Sequence, residues 1–271
     1  VTGLATAMMD SVPIVCITGQ VPRPAIGSDA FQEMDISGAV IPVTKHSYLV
    51  MDIKNLAQTI KEAFAIARSG RPGPVLIDIP KDVQAEEYDF IYPEEPVKLP
   101  GKNPLDKEID KKSLGDAADL IANAKRPVIL AGHGILLSGA SKEVIELSEK
   151  GDIPLSWTLL GSGAVPASHD LNMGMMGMHG EFAANNAIQK ADLLIACGMR
   201  FDDRVTGNTK TYSLDSKKIH IEIDPSEINK NVPVDVALVG DLKLVLKKLI
   251  PIINDQHNTK WINEIEKWKK E

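Results

Sequence analysis

The sequence predicts an α/β protein built from two parallel-sheet units, and three observations carry that expectation. Short, continuous apolar runs such as VLIDI at 75–79, PVILA at 127–131 and DLLIAC at 192–197 have the character of strands covered on both faces. Between such runs lie stretches of roughly ten to fifteen residues with apolar side chains at helical spacing. A stretch rich in proline and charge at 86–112, with Pro93, Pro96, Pro100 and Pro104, interrupts the alternation, which then restarts. The expected organisation is a first unit over 1–92, a linker over 93–110 and a doubly wound second unit over 111–271.

Taken in order, VTGLATAMMD at 1–10 reads as helix, with Leu4, Ala5 and Met8 on one face. PIVCIT at 13–18 reads as a buried strand closed by Gly19. NLAQTIKEAFAIARS at 55–69 is a helix whose stripe is Leu56, Ile60, Phe64 and Ala67, and GRPGP at 70–74 ends it ahead of the strand at 75–79. In the second unit, strands are expected at 127–131, 153–157, 192–197 and 219–223, with a shorter one at 236–239. Helices are expected at 113–123, 141–150, 181–190 and 242–250. No internal repeat or low-complexity tract is visible.

Composition narrows the function. Of 271 residues, 44% are hydrophobic and 25% charged, an ordinary globular balance. Lys+Arg number 30 against Asp+Glu 37, a net charge of -7 that disfavours nucleic-acid binding, which depends on basic patches. No apolar run approaches the ~18 residues of a membrane span, so no membrane association is expected. Cys16 and Cys197 are too few for a disulfide framework or a cysteine-based zinc site and read as inert core residues. The chain is expected to be cytoplasmic. Val1 is not a start methionine, residues 1–10 carry no basic leader and KWINEIEKWKKE stops without a cap, so an internal fragment of a longer protein is expected.

In open parallel sheets ligands bind beyond the carboxyl ends of the strands. There the second unit places Gly132, His133 and Gly134, then Thr158, Leu159, Leu160 and Gly161, then GMRFDDR at 198–204, then Glu222 and Asp224. Glycines admit close backbone approach, Arg200 and Arg204 could fork onto a pyrophosphate, and Glu222 could accept from ribose hydroxyls. Together these suggest a dinucleotide cleft. GHGILLSG at 132–139 is not G-x-G-x-x-G, however, and Glu222 follows by ninety residues rather than the ~20 of the usual fingerprint. A plain strand-to-helix turn at Gly132 and Gly134, and capping by Asp202 and Asp203, therefore stand beside the ligand reading. NMGMMGMHG at 172–180 is either a loop lining a flat aromatic ligand such as a flavin or a loosely packed core loop. His179 has no second histidine at ligand spacing, and no metal site is expected. In the first unit Gln20, Arg23, Ser28, Asp29, Phe31, Gln32 and Glu33 follow a strand's carboxyl end. A buried Gln32 could hydrogen-bond a keto acid or a cofactor amide; the alternative is an ordinary loop amide.

GQVPRPAIGSDAFQEMDI (19–36), TKHSYLV (44–50), SGRPGPVLIDIPKDV (69–83), GMHG (177–180) and GMRFDDRVTG (198–207) closely resemble the catalytic subunit of the acetolactate synthase (acetohydroxyacid synthase) family, thiamine-diphosphate-dependent enzymes. The resemblance runs in order over essentially the whole chain. It implies that 1–92 is the latter part of a pyrimidine-binding domain and 111–271 a Rossmann-like central domain that binds FAD. It implies an enzyme using thiamine diphosphate and Mg2+ to decarboxylate pyruvate. The two-carbon unit is joined to a second pyruvate or to 2-ketobutyrate, in branched-chain amino-acid biosynthesis, while FAD undergoes no net redox change. FAD contacts are implied at Arg71, Gly132, His133, Gly134, Thr158, Leu159, Met176, Gly177, Met178, His179, Gly198, Met199, Arg200, Phe201, Asp202, Glu222, Ile223 and Asp241. His133 stands where relatives often carry glycine. Phe31, Gln32 and Lys81 are implied at the catalytic entrance. The glutamate that activates thiamine diphosphate and the motif holding diphosphate and metal are absent, which implies a chain inactive by itself. A homodimer or tetramer and a regulatory small subunit are implied for the complete enzyme. The rivals are another thiamine enzyme, such as pyruvate oxidase or glyoxylate carboligase, and a non-catalytic dinucleotide-binding module.

Overall fold

The computed structural model describes residues 1–99 and 108–270. The chain separates into two compact units, Val1–Asn103 and Pro104–Glu271. Of the expected linker, 93–99 carries neither helix nor strand, and 100–107 lies outside the described residues.

The first unit runs α1 (Thr2–Asp10), β1 (Val15–Gln20), α2 (Ile36–Ala39), β2 (His46–Leu49), α3 (Leu56–Arg68), β3 (Val75–Pro80) and α4 (Lys81–Ala85). Its three strands are parallel in the order β1-β3-β2. Central β3 is buried at every position, and its one charged residue, Asp78, accepts hydrogen bonds from the Thr18 hydroxyl and the Gln20 side-chain amide. The strand expected to be buried at 13–18 instead begins at Val15 and is half exposed, with Ile17 at 58%. Its place at the sheet edge, bonded to β3 alone, is the reason. Helix α3 also corrects its predicted stripe. Thr59, Ala63 and Ala67 are buried, Leu56 and Ile60 half-buried, and Phe64 exposed, because the small residues at i, i+4 and i+8 let the helix lie close to the sheet. Lys45 closes the helix, its ammonium donating to the carbonyls of Ile66 and Ser69 and to Ser69 Oγ. Burial pushes that ammonium down to about 8.

The second unit runs α5 (Lys111–Asn123), β4 (Pro127–Ala131), α6 (Gly134–Ser138), α7 (Ser141–Gly151), β5 (Leu155–Trp157), β6 (Asn172–Met175), α8 (Phe182–Lys190), β7 (Leu193–Cys197), α9 (Asp203–Thr206), β8 (Lys217–Glu222), β9 (Val236–Val239), α10 (Leu242–Leu249) and α11 (Thr259–Trp268). Six parallel strands lie in the order β6-β5-β4-β7-β8-β9. The period-2 alternation sorts each strand between two cores. Ile129, Ala131, Ile195 and Cys197 meet Ile121, Leu147, Val245 and Leu246 from one set of helices. Val128, Leu130, Leu194 and Ala196 meet Ala184, Ile188, Trp261 and Ile265 from the other. The pattern at 172–180 predicts loop throughout, yet 172–175 pairs with β5 as an edge strand. The unpredicted α11 is tied down by Trp261, whose indole N–H donates to Pro127 O at 3.1 Å. The Trp268 ring meets Trp261 edge-on and receives the Lys190 ammonium from α8.

Candidate functional site

From β4 the chain steps outward through β5 to β6, then returns to place β7 on the other side of β4 and steps on to β8 and β9. The loops leaving β4 and β7 therefore diverge, which makes this edge the topological switch point, where α/β sheets bind ligands.

At that point the glycines pack on each other. The Gly132 amide donates to Cys197 O at 3.0 Å and the Gly134 amide to Gly198 O at 2.8 Å. A methyl on Gly134 would lie 2.7 Å from Gly198 Cα, and one on Gly198, at φ +58°, would lie 2.6 Å from Gly134 Cα. Chain-to-chain approach alone thus requires these glycines, so the turn reading offered for them is met whatever else the loop binds. His133 immediately precedes the short α6, and its Nδ1 is buried without a hydrogen-bond partner.

The neighbouring loops join in a continuous series. Thr158 N–H donates to Ala131 O, Met176 N–H to Trp157 O, Gly198 N–H to Ile221 O and Gly240 N–H to Glu222 O. The Met178 amide donates to Arg204 O at 2.8 Å, linking the loop after β6 to the one after β7. Asn185 holds Gly177 through both its amide and its carbonyl. The residues expected in these loops therefore lie at one edge of the six-stranded sheet. Their side chains differ in availability. Met176, Met199 and Phe201 have their side chains buried in the core. Leu159, Met178 and His179 are exposed, the first two at 74% and 59%. Arg200 lies 3.9 Å from Asp202, half-buried. Asp202 accepts from the amides of Arg204 and Val205, so the capping role anticipated for it is present. Glu222 is buried; its Oε1 accepts from the amides of Ile223 and Asp224, and its Oε2 lies 3.8 Å from His220 Nε2. Asp241 caps α10 by accepting from Leu244.

In the first unit, Gln32 is exposed and left-handed at φ +62°, as in the ordinary loop amide offered for it and not as in the buried alternative. The loop folds around Glu33, which accepts from the amides of Gly27 and Ala30 and is held below the usual carboxylate range by those bonds. Beside it Phe31 is 89% exposed. Lys81 is exposed immediately after β3, at the same carboxyl edge that β1 reaches, whereas Arg71 precedes β3. Arg71 donates from Nε to Ser11 Oγ at 2.9 Å. The thiol of Cys197 is buried and pushed up to about 12, while Cys16 is only half-buried. Among the described residues no three His, Cys, Asp or Glu side chains converge on a metal position, and no helix is long and apolar enough to cross a membrane.

Sequence reasoning passes over the residues that support these loops, His220, Asn185 and Asn231, and in the first unit it names Gln20 but not its partner Asp78, 3.0 Å away. For His220 a signal exists, a polar residue inside the run IHIEI with Glu222 two positions along the same strand face.

Residues 114–249 match the family described as thiamine pyrophosphate enzyme, central domain. The chain belongs to that family, and the six-stranded unit is the part that matches. It is similar to the acetolactate synthase large subunit of Parasynechococcus marenigrum, with 46% identity over 278 residues, 99% of this chain and 44% of that protein. Acetolactate synthase of Mycobacterium bovis is 48% identical over 268 residues, 99% of this chain and 43% of the relative. The large subunit from Corynebacterium glutamicum is 48% identical over 250 residues, 92% and 40% respectively. The chain thus spans less than half the length of these relatives.

Proposed function

We propose that this chain is part of an acetolactate synthase catalytic subunit, and that its second unit contributes the FAD-binding cleft. The supporting observation is the unbroken series of loops at the carboxyl edge of the six-stranded sheet, made of the residues that the resemblance assigns to FAD. The donor set fits a dinucleotide. The Arg200 guanidinium, steadied by Asp202, suits a pyrophosphate, and the Glu222 carboxylate suits ribose hydroxyls. Leu159 and Met178 offer exposed apolar surface for a flat ring.

The reaction proposed is condensation of two pyruvates, or of pyruvate with 2-ketobutyrate, releasing CO2. Thiamine diphosphate with Mg2+ would supply the decarboxylation and carbon–carbon bond chemistry. Residues 1–92 are read as pyrimidine-binding domain, 93–110 as linker and 111–271 as FAD-binding domain. Phe31, Gln32 and Lys81 would border the catalytic entrance and Arg71 would contribute to flavin binding. A cytoplasmic homo-oligomer with a regulatory small subunit completes the proposal.

The test is the visible absorption spectrum of the protein after mixing with FAD and removing free flavin. A retained, perturbed flavin band is expected. A protein folded by circular dichroism but colourless would overturn the FAD assignment.

A further inference from the structure

We propose that His220 is a positioning residue that sets the backbone on both sides of Arg200, and through it the flavin affinity; the second half rests on the FAD reading above. His220 is fully buried in β8, with its Nε2 2.8 Å from Met199 O. Its ring meets that of Phe201 edge-to-face, centroids 5.2 Å apart. Met199 and Phe201 flank Arg200, so one imidazole holds both neighbours of the residue offered to the pyrophosphate. Asn231 adds a third anchor, donating to Phe201 O at 2.8 Å.

The bond to a carbonyl requires the proton on Nε2, which leaves Nδ1 as a bare acceptor. Nδ1 is buried without a partner, a net cost to folding that a hydrophobic residue of similar size would avoid. Burial keeps the imidazole below its ordinary pKa, and so neutral, with that single proton committed to Met199. A group that costs stability while fixing a loop fits the pattern of local conflict at functional sites. The face of β8 that carries this support also carries Glu222, two residues along, so one strand supplies both the loop's anchor and a ligand acceptor.

The experiment compares His220→Gln, whose amide can reproduce the Nε2 donor, with His220→Leu and His220→Phe, which cannot. FAD affinity is read by flavin fluorescence, and backbone order at 199–203 by amide hydrogen exchange without flavin. The expected result is about tenfold weaker FAD binding for the Leu or Phe variant, the scale of one lost buried hydrogen bond. Amides at 200–203 should exchange faster in those variants, and both effects should revert to within about twofold in His220→Gln. Equal affinity and exchange in all folded variants would overturn the proposal, as would equal losses in Gln, Leu and Phe. Failure of both Leu and Phe to fold would also overturn it, since His220 would then be holding the core. If the wild type is folded but binds no FAD, the flavin reading fails; the exchange contrast then decides the backbone role by itself.

Discussion

Two glycines with nearly the same backbone angle occupy opposite surroundings, and replacing each with alanine separates conformational strain from crowding. Gly139 sits at φ +62° with nothing within 4 Å of the methyl group an alanine would add, whereas Gly198 sits at φ +58° facing the backbone of Gly134. Left-handed backbone at an alanine costs roughly 1–2 kcal/mol, and Gly139→Ala should show that alone. In Gly198→Ala the methyl would also lie 2.6, 3.1 and 3.2 Å from Gly134 Cα, C and N. All three are backbone atoms that cannot rotate away, so the β4 and β7 turns must part, adding about 1–3 kcal/mol. The expected total is about 2–5 kcal/mol for Gly198→Ala against about 1–2 for Gly139→Ala, measured as a shift in urea midpoint at constant m-value. Gly198→Ala should also weaken FAD binding, because Arg200 lies two residues on; Gly139→Ala should leave it unchanged. Equal destabilisation by the two substitutions would refute the claim that the strand-end glycines are required by mutual backbone approach.

Two further outcomes are expected. Trp261→Phe keeps an aromatic ring against Trp268 but strips the donor from the buried Pro127 carbonyl, and should lower the unfolding free energy by about 1–2 kcal/mol; an unchanged urea midpoint would show that the indole N–H does not secure α11. His220, whose pKa is lowered by burial against weaker raising by the Met199 carbonyl and Glu227, stays neutral in the fold while the unfolded chain takes up a proton below about pH 6.5. Its protonation therefore leaves folding unaffected above that pH and penalises it as pH falls toward the folded value, with a slope of up to about 1.4 kcal/mol per pH unit. His220→Gln should flatten this part of the profile, and parallel wild-type and variant curves between about pH 7.5 and 5.5 would refute it.

Local pattern is enough to find most of the architecture. Predominantly apolar runs mark the strands at 75–79, 127–131, 192–197 and 236–239, because a strand covered on both faces needs no polar alternation. The interruption at 86–112 marks the change of unit, because prolines and charges cannot sustain either period. The same pattern misjudges elements whose environment is set by neighbours. The composition of β1 resembles that of β3 and predicts burial, but an edge position leaves Ile17 exposed. Hydrophobicity places Phe64 in the α3 stripe, whereas close approach to the sheet selects Thr59, Ala63 and Ala67. β6 escapes it because glycine and methionine acquire their strand from the partner β5, whereas α11, left out of the expected helices, does carry a legible signal in Trp261, Ile265 and Trp268 at helical spacing.

At the candidate site, residue type and position after the strands place the expected residues at the carboxyl edge of the sheet, since a parallel α/β unit leaves its loops there whatever their sequence. Which atoms of those loops face outward is decided by packing. Met176, Met199 and Phe201 turn inward to close a core, Leu159 and Met178 remain outside, and Gln32 is exposed on a left-handed turn. The need for Gly134 and Gly198 comes from each other, and the bond from His220 to Met199 crosses twenty-one residues of chain. Periodicity along a chain reports which side chains must leave water; contacts between distant backbones, which carry no periodic signature, exist only once the strands have been laid side by side.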